Sequence, residues 1–354
     1  MKKIFVDGYF NLNLGDDLFI VALVEQFPDV KFTIIAPNNY IGMFSKYPNV
    51  SIKKIGKFSL KVHNFISNIT KKRLWILHEQ NKNDATVLIG GSLFIQNKEI
   101  YKKMLRNFIK EVNNSKYFII GANFGPYYSN DYLEGYRKAF AKCQDVSLRD
   151  KKSFQLFKEN INTRLNPDVV LSLKRNLICK SEKKIGISVI DLSNRDLSEY
   201  TNIYESALAR LSEDLIRLGY HINFYSFCKE EGDSKAISRI TDHIKENNYS
   251  VIEYDGDFEE YLKHLSQNEI MIATRYHAMI LALLFRQRVI SLSYSDKIVN
   301  VIQDLKINIP YYHIKDIENL TSVIVKNTPL MVVEEELFKS AERNFDILRK
   351  FIQE

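Results

Sequence analysis

The chain has 354 residues, of which 45% are hydrophobic and 26% are charged, as is ordinary for soluble globular proteins. No run approaches the roughly 20 apolar residues that span a bilayer, and the start turns acidic at Asp7, too early for a secretory signal, so we expect a cytoplasmic protein. The net charge of +7 favours anionic partners, but no basic block interleaved with aromatics predicts a nucleic-acid groove. This length suggests two domains, and no oligomeric state follows from it.

The cysteines exclude two further classes of protein. Cys143, Cys179 and Cys228 lie far apart and have no paired spacing. This arrangement argues against a disulfide framework and against a zinc site, so we expect neither a disulfide nor a bound metal. The three side chains are predicted to be small apolar fillers of the core.

Strands and helices are predicted to alternate through the first half of the chain. Helices are expected near residues 18–27, 40–47, 60–79 and 153–158 and around Cys143, between strands at residues 3–6, 31–36, 50–53, 85–89, 117–120, 145–148 and 166–171. Alternation of this kind predicts a parallel sheet covered on both faces.

A lysine-rich stretch at residues 172–184 is the predicted linker to a second α/β run. That run has expected strands at residues 185–189, 221–226, 251–254 and 270–273, with helices near 204–218, 233–246, 258–266 and 278–284. The stretch 288–297 follows, and after it a helix that ends at residue 305. The predicted fold is two doubly wound, Rossmann-like domains, 1–172 and 173–330, facing a cleft. Residues 331–354, with a helix at 334–352, are expected to pack back across both domains.

The loop after the first strand is glycine-containing and polar. Gly8 and Gly15 allow close backbone approach, and Asp16 or Asp17 can cap the following helix. The loop lacks the close G-x-G-x-x-G spacing of a dinucleotide site and the Gly-Lys-Ser/Thr of a P-loop. The two aspartates either cap the helix or bind the hydroxyl groups of a sugar.

A second glycine turn follows the strand at 85–89. Gly90, Gly91 and Ser92 are expected to offer backbone N–H groups and a hydroxyl to a carboxylate or phosphate. A glycine pair after a strand is weak support for a site by itself.

The stretch at residues 270–282 carries the strongest site prediction. A buried strand precedes Thr274, Arg275 and His277, and an apolar helix follows them. Open α/β sheets bind anions at this edge, where a guanidinium and helix N–H groups can face a phosphate or carboxylate. The alternative is structural, with Arg275 pairing locally and His277 packed under the helix.

These motifs together resemble the polysaccharide pyruvyl transferase family over nearly the whole chain. The resemblance is carried by Gly8, Asn11 or Asn13, Gly15, Asp16, Gly90, Gly91, Ser92 and residues 121–126, 147–150, 166–168, 274–278 and 294–297. It implies a fold similar to that of two-domain GT-B glycosyltransferases. It also implies transfer of pyruvate from phosphoenolpyruvate to a sugar of a cell-surface polysaccharide or its lipid-linked precursor, as a cyclic ketal.

The resemblance also implies roles for individual residues. His277 is the expected catalytic acid/base residue. The expected donor-binding residues are Arg149, Arg275, Tyr276, Gly90, Gly91 and Ser92. The expected acceptor-binding residues are Asn13, Gly15, Asp16, Asp17 and Asn123. No cofactor beyond the donor substrate and no metal are implied, and peripheral membrane contact is expected for a lipid-linked acceptor.

The chain departs from the family pattern at several positions. Asp17 stands where Glu is usual, Ile190 where some members are basic, and Arg286 and Arg288 where a small residue and proline are common. Two other functions stay open from the sequence. One is a nucleotide-sugar glycosyltransferase in which Arg275 binds a diphosphate, and the other is a non-catalytic glycan-binding relative.

Overall fold

A computed structural model describes residues 1–54, 73–175 and 183–354. These residues form two compact units. The first unit comprises Met1–Phe10, Asp16–Ser172 and Phe338–Glu354, and the second comprises Asn11–Gly15 and Leu173–Leu337. This grouping differs from the predicted domain limits in two segments, because Asn11–Gly15 group with the second unit and Phe338–Glu354 with the first.

The first unit contains a sheet whose paired strands all run parallel. Its strands are β1 (Lys3–Asp7), β2 (Lys31–Ala36), β3 (Val50–Lys54), β4 (Ala85–Ile89), β5 (Tyr117–Ala122), β6 (Asp145–Leu148) and β7 (Thr163–Leu165). Within the described residues their order is β3-β2-β1-β4-β5-β6-β7. The helices are α1 (Leu14–Gln26), α2 (Tyr40–Phe44), α3 (Leu74–Gln80), α4 (Tyr101–Asn114), α5 (Asn130–Phe140) and α6 (Lys151–Phe157).

The second unit repeats this plan. Its strands are β8 (Lys184–Ser188), β9 (His221–Ser226), β10 (Tyr249–Glu253), β11 (Ile270–Ala273), β12 (Arg288–Ser293) and β13 (Tyr311–His313), in the order β10-β9-β8-β11-β12-β13 within the described residues. The helices are α7 (Thr201–Arg217), α8 (Asp233–Thr241), α9 (Phe258–Ser266), α10 (Tyr276–Leu284), α11 (Asp296–Leu305) and α12 (Ser322–Lys326), and α13 (Glu335–Glu342) begins in the second unit and ends in the first. Helix α14 (Asp346–Gln353) ends the chain.

The predicted parallel sheets are confirmed, and their topology explains where ligands can bind. Strands β4, β5, β11 and most of β8 are buried, as expected for parallel strands covered on both faces. Strand order reverses beside β1 in the first unit, which pairs with β2 on one side and β4 on the other, and beside β8 in the second unit, which pairs with β9 on one side and β11 on the other. Ligands of open α/β sheets bind beyond the carboxyl ends of the strands at such reversals.

One predicted strand, at residues 166–171, is wrong. The edge strand is Thr163–Leu165, and Val169–Ser172 form a 3-10 turn. Pro167 has no N–H to donate to a ladder, and the Asp168 side chain accepts a hydrogen bond from Val170 N at 2.9 Å, which closes the turn instead. The short strand Tyr311–His313 was not predicted at all.

The single terminal helix predicted at 334–352 is also wrong. It is broken into Glu335–Glu342 and Asp346–Gln353 by a 3-10 turn, Arg343–Phe345. Asn344 in that turn is fully buried. Its amide donates to Pro167 O at 2.8 Å and its carbonyl accepts from Ser147 Oγ at 2.6 Å. These hydrogen bonds hold the 3-10 turn against the first sheet, and the helix is interrupted there.

Other helix limits shift or lie outside the described residues. The first helix begins at Leu14 rather than residue 18, so Asp16 and Asp17 lie in its first turn. The predicted helix at 60–79 is described only as Leu74–Gln80, and the linker at 172–184 only in part. Cys143 and Cys228 are buried free thiols, while Cys179 lies outside the described residues. No helix in residues 1–54, 73–175 and 183–354 combines the length and apolar composition that crossing a bilayer requires.

Candidate active site

The turn after β11 is held by side chains as well as by backbone. Ser188, at the end of neighbouring β8, accepts hydrogen bonds from Thr274 N at 2.9 Å and Arg275 N at 3.1 Å. The Tyr204 hydroxyl lies 3.1 Å from Thr274 Oγ1. Arg275 itself has extended backbone and directly precedes helix α10. Contacts within the protein therefore hold the turn at the strand-order reversal in place.

Arg275 is paired with two carboxylates. Its Nε donates to Asp233 Oδ2 at 3.0 Å, its Nη2 donates to Asp233 Oδ1, and its Nη1 donates to Glu231 Oε2 at 2.7 Å. Burial alone would lower the pKa of the guanidinium, but Asp233 and Glu231 raise it above its ordinary value. Arg275 is thus permanently charged and oriented by its neighbours.

Asp233 and Glu231 hold Arg275 in different ways. Asp233 is fully buried, and its Oδ2 also accepts from Phe227 N and Cys228 N, each at 3.0 Å. Glu231 has a side chain 29% exposed. Its carboxylate also accepts from Arg195 Nη2 at 2.7 Å and Asn13 Nδ2 at 3.2 Å.

The ionisation of the Glu231 carboxyl follows from these partners. Burial raises its pKa, but Arg275 and Arg195 outweigh burial and leave the pKa below the ordinary value. Glu231 is therefore a carboxylate at neutral pH.

His277 packs against the loop that precedes α1. A methyl group added at Gly15 would lie 1.8 Å from His277 Nδ1, so the imidazole rests directly on the glycine backbone. Gly15 N donates to Asn13 Oδ1 at 3.1 Å, and Leu14 N donates to Phe227 O at 3.1 Å. The half-buried ring of His277 also meets the Tyr276 ring edge-on at 5.0 Å. The second unit therefore brings together Asn13, Gly15 and His277.

Arg149 is the centre of a separate cluster in the first unit. Its side chain is 2% exposed, and Nη1 donates to Asp168 Oδ2 at 2.6 Å while Nη2 donates to Asn123 Oδ1 at 2.9 Å. A methyl group added at Gly91 would lie 2.3 Å from Arg149 Nη2. The structure thus brings together Arg149, Gly91 and Asn123, which the sequence placed in one site.

The glycine turn differs from its prediction in one respect. Gly90 N is not bare, because it donates to Ile120 O at 3.3 Å. Ser92 Oγ lies 3.4 Å from Asn123 Oδ1, a long contact that joins the turn to the Arg149 cluster. A nest of bare N–H groups at Gly90 is therefore excluded, and the donor-binding role of Gly91 and Ser92 stays a prediction.

The two aspartates of the first loop have different surroundings. Asp17 is fully buried and accepts from the Tyr40 hydroxyl at 2.8 Å, whereas Asp16 is half-buried in the first turn of α1. The residue that precedes the helix is Asn13, so neither aspartate caps it. Their role toward an acceptor stays a prediction.

The two arginines that depart from the family pattern make local ion pairs. Arg286 pairs with Glu335, and Arg288 pairs with Glu269 at 3.1 Å. The two partners of each ion pair are not neighbours in the sequence, so the sequence analysis could not pair them.

Glu231, Asp233 and Arg195 were missed by the sequence reasoning. A signal was present, since Glu230, Glu231 and Asp233 follow β9, which neighbours the β8 and β11 pair in the sheet. Carboxylates at that edge are natural partners for a buried arginine. Recognising them required the strand order, which the sequence did not reveal.

Comparison with known proteins decides the family. The family model of polysaccharide pyruvyl transferases matches residues 13–296 of this chain. The chain belongs to the polysaccharide pyruvyl transferase family. The matched range contains Asn13, Gly91, Arg149, Arg275 and His277, so both clusters lie within the part of the chain that the family model matches.

Solved structures show the same fold at low sequence identity. UDP-GlcNAc 2-epimerase from Neisseria meningitidis bound to UDP-GlcNAc is 14% identical, with a TM-score of 0.62, and the match covers 99% of this chain and 100% of that one. The UDP-GlcNAc 2-epimerase from Methanocaldococcus jannaschii is 13% identical, with a TM-score of 0.61 and the same coverage. HepE from Anabaena, in complex with UDP and glucose, is 11% identical, with a TM-score of 0.56 and coverage of 100% and 98%. The predicted two-domain Rossmann-like, GT-B-type architecture is confirmed.

Proposed function

We propose that this member of the family transfers pyruvate from phosphoenolpyruvate to a sugar, as a cyclic ketal, in a cell-surface polysaccharide or its lipid-linked precursor. The observation that carries the proposal is the pairing of Arg275 and His277 on one turn of a pyruvyl transferase domain, with Gly15 packed under the imidazole. An anion-binding side chain and a proton-transferring side chain at one sheet edge suit a doubly charged donor.

Donor binding is assigned to the arginines. Phosphoenolpyruvate carries a phosphate and a carboxylate on one small carbon skeleton, and arginine is the side chain whose planar fork matches both groups. Arg275 and Arg149 are both oriented by buried carboxylates, which lowers the entropy cost of ordering them around a ligand. Tyr276, Gly91 and Ser92 are proposed to complete the donor contacts, and Gly90 to shape the turn.

His277 is proposed to transfer the proton. A protonated imidazole gives its proton to the vinyl CH₂ carbon of phosphoenolpyruvate, which becomes a methyl group and leaves an oxocarbenium-like carbon. A sugar hydroxyl adds to that carbon and loses its proton. A second hydroxyl then displaces inorganic phosphate and closes the ketal. General acid catalysis of this kind typically contributes about 10² to 10⁴ in rate.

The acceptor is proposed to contact Asn13, Asp16 and Asn123, with Gly15 providing close approach and Asp17 contributing indirectly. Family membership indicates a polysaccharide acceptor. Carboxylate and amide groups are natural partners for sugar hydroxyls because they accept several hydrogen bonds at once. Asp17 already accepts from Tyr40, so it is the candidate whose contribution would be through loop shape.

One experiment tests the donor. The melting temperature is measured with phosphoenolpyruvate and, in parallel, with UDP-GlcNAc, because a ligand that binds only the folded protein raises it. We expect stabilisation by phosphoenolpyruvate, together with phosphate release when a polysaccharide acceptor is added. Stabilisation by UDP-GlcNAc alone, with UDP release, would instead assign a nucleotide-sugar glycosyltransferase. Binding of a glycan without turnover of either donor would assign a non-catalytic relative.

The place of action is a second part of the proposal. The net charge of +7 favours attraction to anionic lipid, so we propose that the enzyme acts on a lipid-linked acceptor at the inner face of the plasma membrane. Sedimentation with anionic and with zwitterionic vesicles tests this. Binding should require anionic lipid and should weaken as salt is added. Full activity on a free sugar without vesicle binding at low ionic strength would contradict the proposal.

A further inference from the structure

The geometry of Arg275 limits how an anion can reach it. A guanidinium has one fork formed by Nε and Nη2 and another formed by its two terminal nitrogens. Asp233 occupies the first fork at both nitrogens. Glu231 accepts from Nη1 and so occupies part of the second. A bidentate anion on Arg275 must therefore take the position that Glu231 holds.

The two carboxylates differ in how firmly they are held. Asp233 is fully buried at the start of helix α8 and is bound by two backbone N–H groups in addition to Arg275. Glu231 ends a one-turn 3-10 segment, Lys229–Glu231, and its carboxylate accepts from the side chains of Arg275, Arg195 and Asn13. Of the two, Glu231 is the carboxylate that a side-chain rotation can remove.

Arg195 shares the same carboxylate oxygen. Its Nη2 donates to Glu231 Oε2 at 2.7 Å, and that oxygen also accepts from Arg275 Nη1 at 2.7 Å. The Arg195 side chain is 31% exposed, and its Nε is fixed by Asp191 O at 3.0 Å. Two guanidinium groups therefore converge on one oxygen, as they would on a phosphate or carboxylate oxygen of a ligand.

We propose that Arg195 and Arg275 form the subsite for an anionic group of the donor, and that Glu231 holds this subsite until the donor displaces it. The inference rests on the proposed function for the identity of the donor. The carboxylate of Glu231 keeps the two arginines oriented and neutralised, and it competes with the incoming anion for the same N–H groups. Arg195 thereby becomes a donor-binding residue, and Glu231 sets donor affinity.

Calorimetric titration with phosphoenolpyruvate and, separately, with inorganic phosphate tests the subsite. Glu231→Gln removes the competing charge and should lower the Kd for both anions, about threefold or more. Arg195→Gln removes a charged donor and should raise both values about tenfold. The Arg210–Glu318 pair, at 2.9 Å with both side chains more than half exposed, supplies matched controls. Arg210→Gln and Glu318→Gln carry the same charge changes and should leave both Kd values unchanged.

The possible outcomes test the proposed subsite and the proposed donor separately. Glu231→Gln binding no tighter than the wild type would make Glu231 a structural bridge and overturn the inference. Arg195→Gln binding as well as the wild type would also overturn it, and this holds even if the Glu231 variant does not fold. Phosphate binding that follows the predicted order without any phosphoenolpyruvate binding would sink the proposed donor but retain the subsite. Binding of neither anion to the wild type or to Glu231→Gln would overturn both.

Discussion

The two buried arginines of the candidate site are held in contrasting ways. Arg149 in the first unit donates to the Asp168 carboxylate and to the neutral amide of Asn123. Arg275 in the second unit has two carboxylate partners, Asp233 and Glu231. Both arginines follow the carboxyl end of a parallel strand, so the sequence context alone does not distinguish them. On the proposal above, an anion that binds Arg275 must first release Glu231, whereas the Nη2 partner of Arg149 is the uncharged amide of Asn123.

The clusters share one device, a glycine from another loop that packs against the functional side chain. Gly91 lies under the Arg149 guanidinium, and Gly15 lies under the His277 imidazole. Only in the second unit does the turn that carries the arginine also carry a histidine. This contrast supports the proposal that the first cluster binds the donor and that the second both binds the donor and transfers the proton.

The largest expected effect is the loss of stability when a buried carboxylate partner of either arginine is replaced. Asp168→Asn removes the buried carboxylate to which Arg149 Nη1 donates, which should cost about 3–5 kcal/mol of stability. Asp233→Asn should cost less, about 1–3 kcal/mol, because Glu231 still neutralises Arg275. Denaturant unfolding followed by Trp75 fluorescence in the first unit and by far-UV circular dichroism measures both. Asp346→Asn, at a partly exposed pair with Arg349, is the control. Equal costs for the two variants would mean that Glu231 does not compensate.

The next largest effect is on turnover, and it tests whether the second cluster, which contains His277, transfers the proton. His277→Gln should fold normally and bind phosphoenolpyruvate, while turnover falls by about 10² or more. Arg149→Gln should instead raise the donor KM, because it removes a charged hydrogen-bond donor. His264→Gln, on a half-exposed surface histidine, is the control. A destabilised His277→Gln enzyme with full specific activity would identify His277 as a packing residue.

The sequence predicted the elements that depend on local pattern. Buried strands such as Ala85–Ile89 and Ile270–Ala273 are continuous apolar runs, and the polar residues that follow them fall at the carboxyl edge of a parallel sheet. Arg149 and Arg275 were therefore placed at sheet edges from the sequence alone.

The partners of these arginines could not be predicted in the same way. Asp233 lies 42 positions before Arg275, and the two meet only because β9, β8 and β11 are neighbours in the sheet. The break at Asn344 has the same cause, because its buried contacts are with Ser147 and Pro167, far away in the chain. Local periodicity contains no information about such contacts.

A smaller effect tests the glycines that support each cluster. Gly15→Ala forces the His277 ring to move and should lower kcat about tenfold with little change in donor affinity. Gly91→Ala forces the Arg149 guanidinium to move and should raise the donor KM about tenfold. Gly42→Ala is a matched control, because a methyl group there meets no atom within 4 Å. A change in kcat from Gly91→Ala alone would reverse the roles assigned to the two clusters.

The smallest expected effect concerns how each turn is anchored. Arg149 N donates to the backbone carbonyl of Ala122, whereas the turn before Arg275 is tied to Tyr204 through the side chain of Thr274. Burial raises the pKa of Tyr204, so its hydroxyl stays protonated and can hydrogen-bond. Tyr204→Phe should cost about 0.5–1.5 kcal/mol of stability.

A double-mutant cycle with Thr274→Val isolates this contact from the loss of packing. We expect a coupling energy of about 0.5–1 kcal/mol, with a donor KM that rises in each single variant and rises no further in the double variant. Additive losses would show that the hydroxyl pair does not act as one unit. The Arg275 turn would then depend on Ser188, whose hydroxyl accepts from both Thr274 N and Arg275 N.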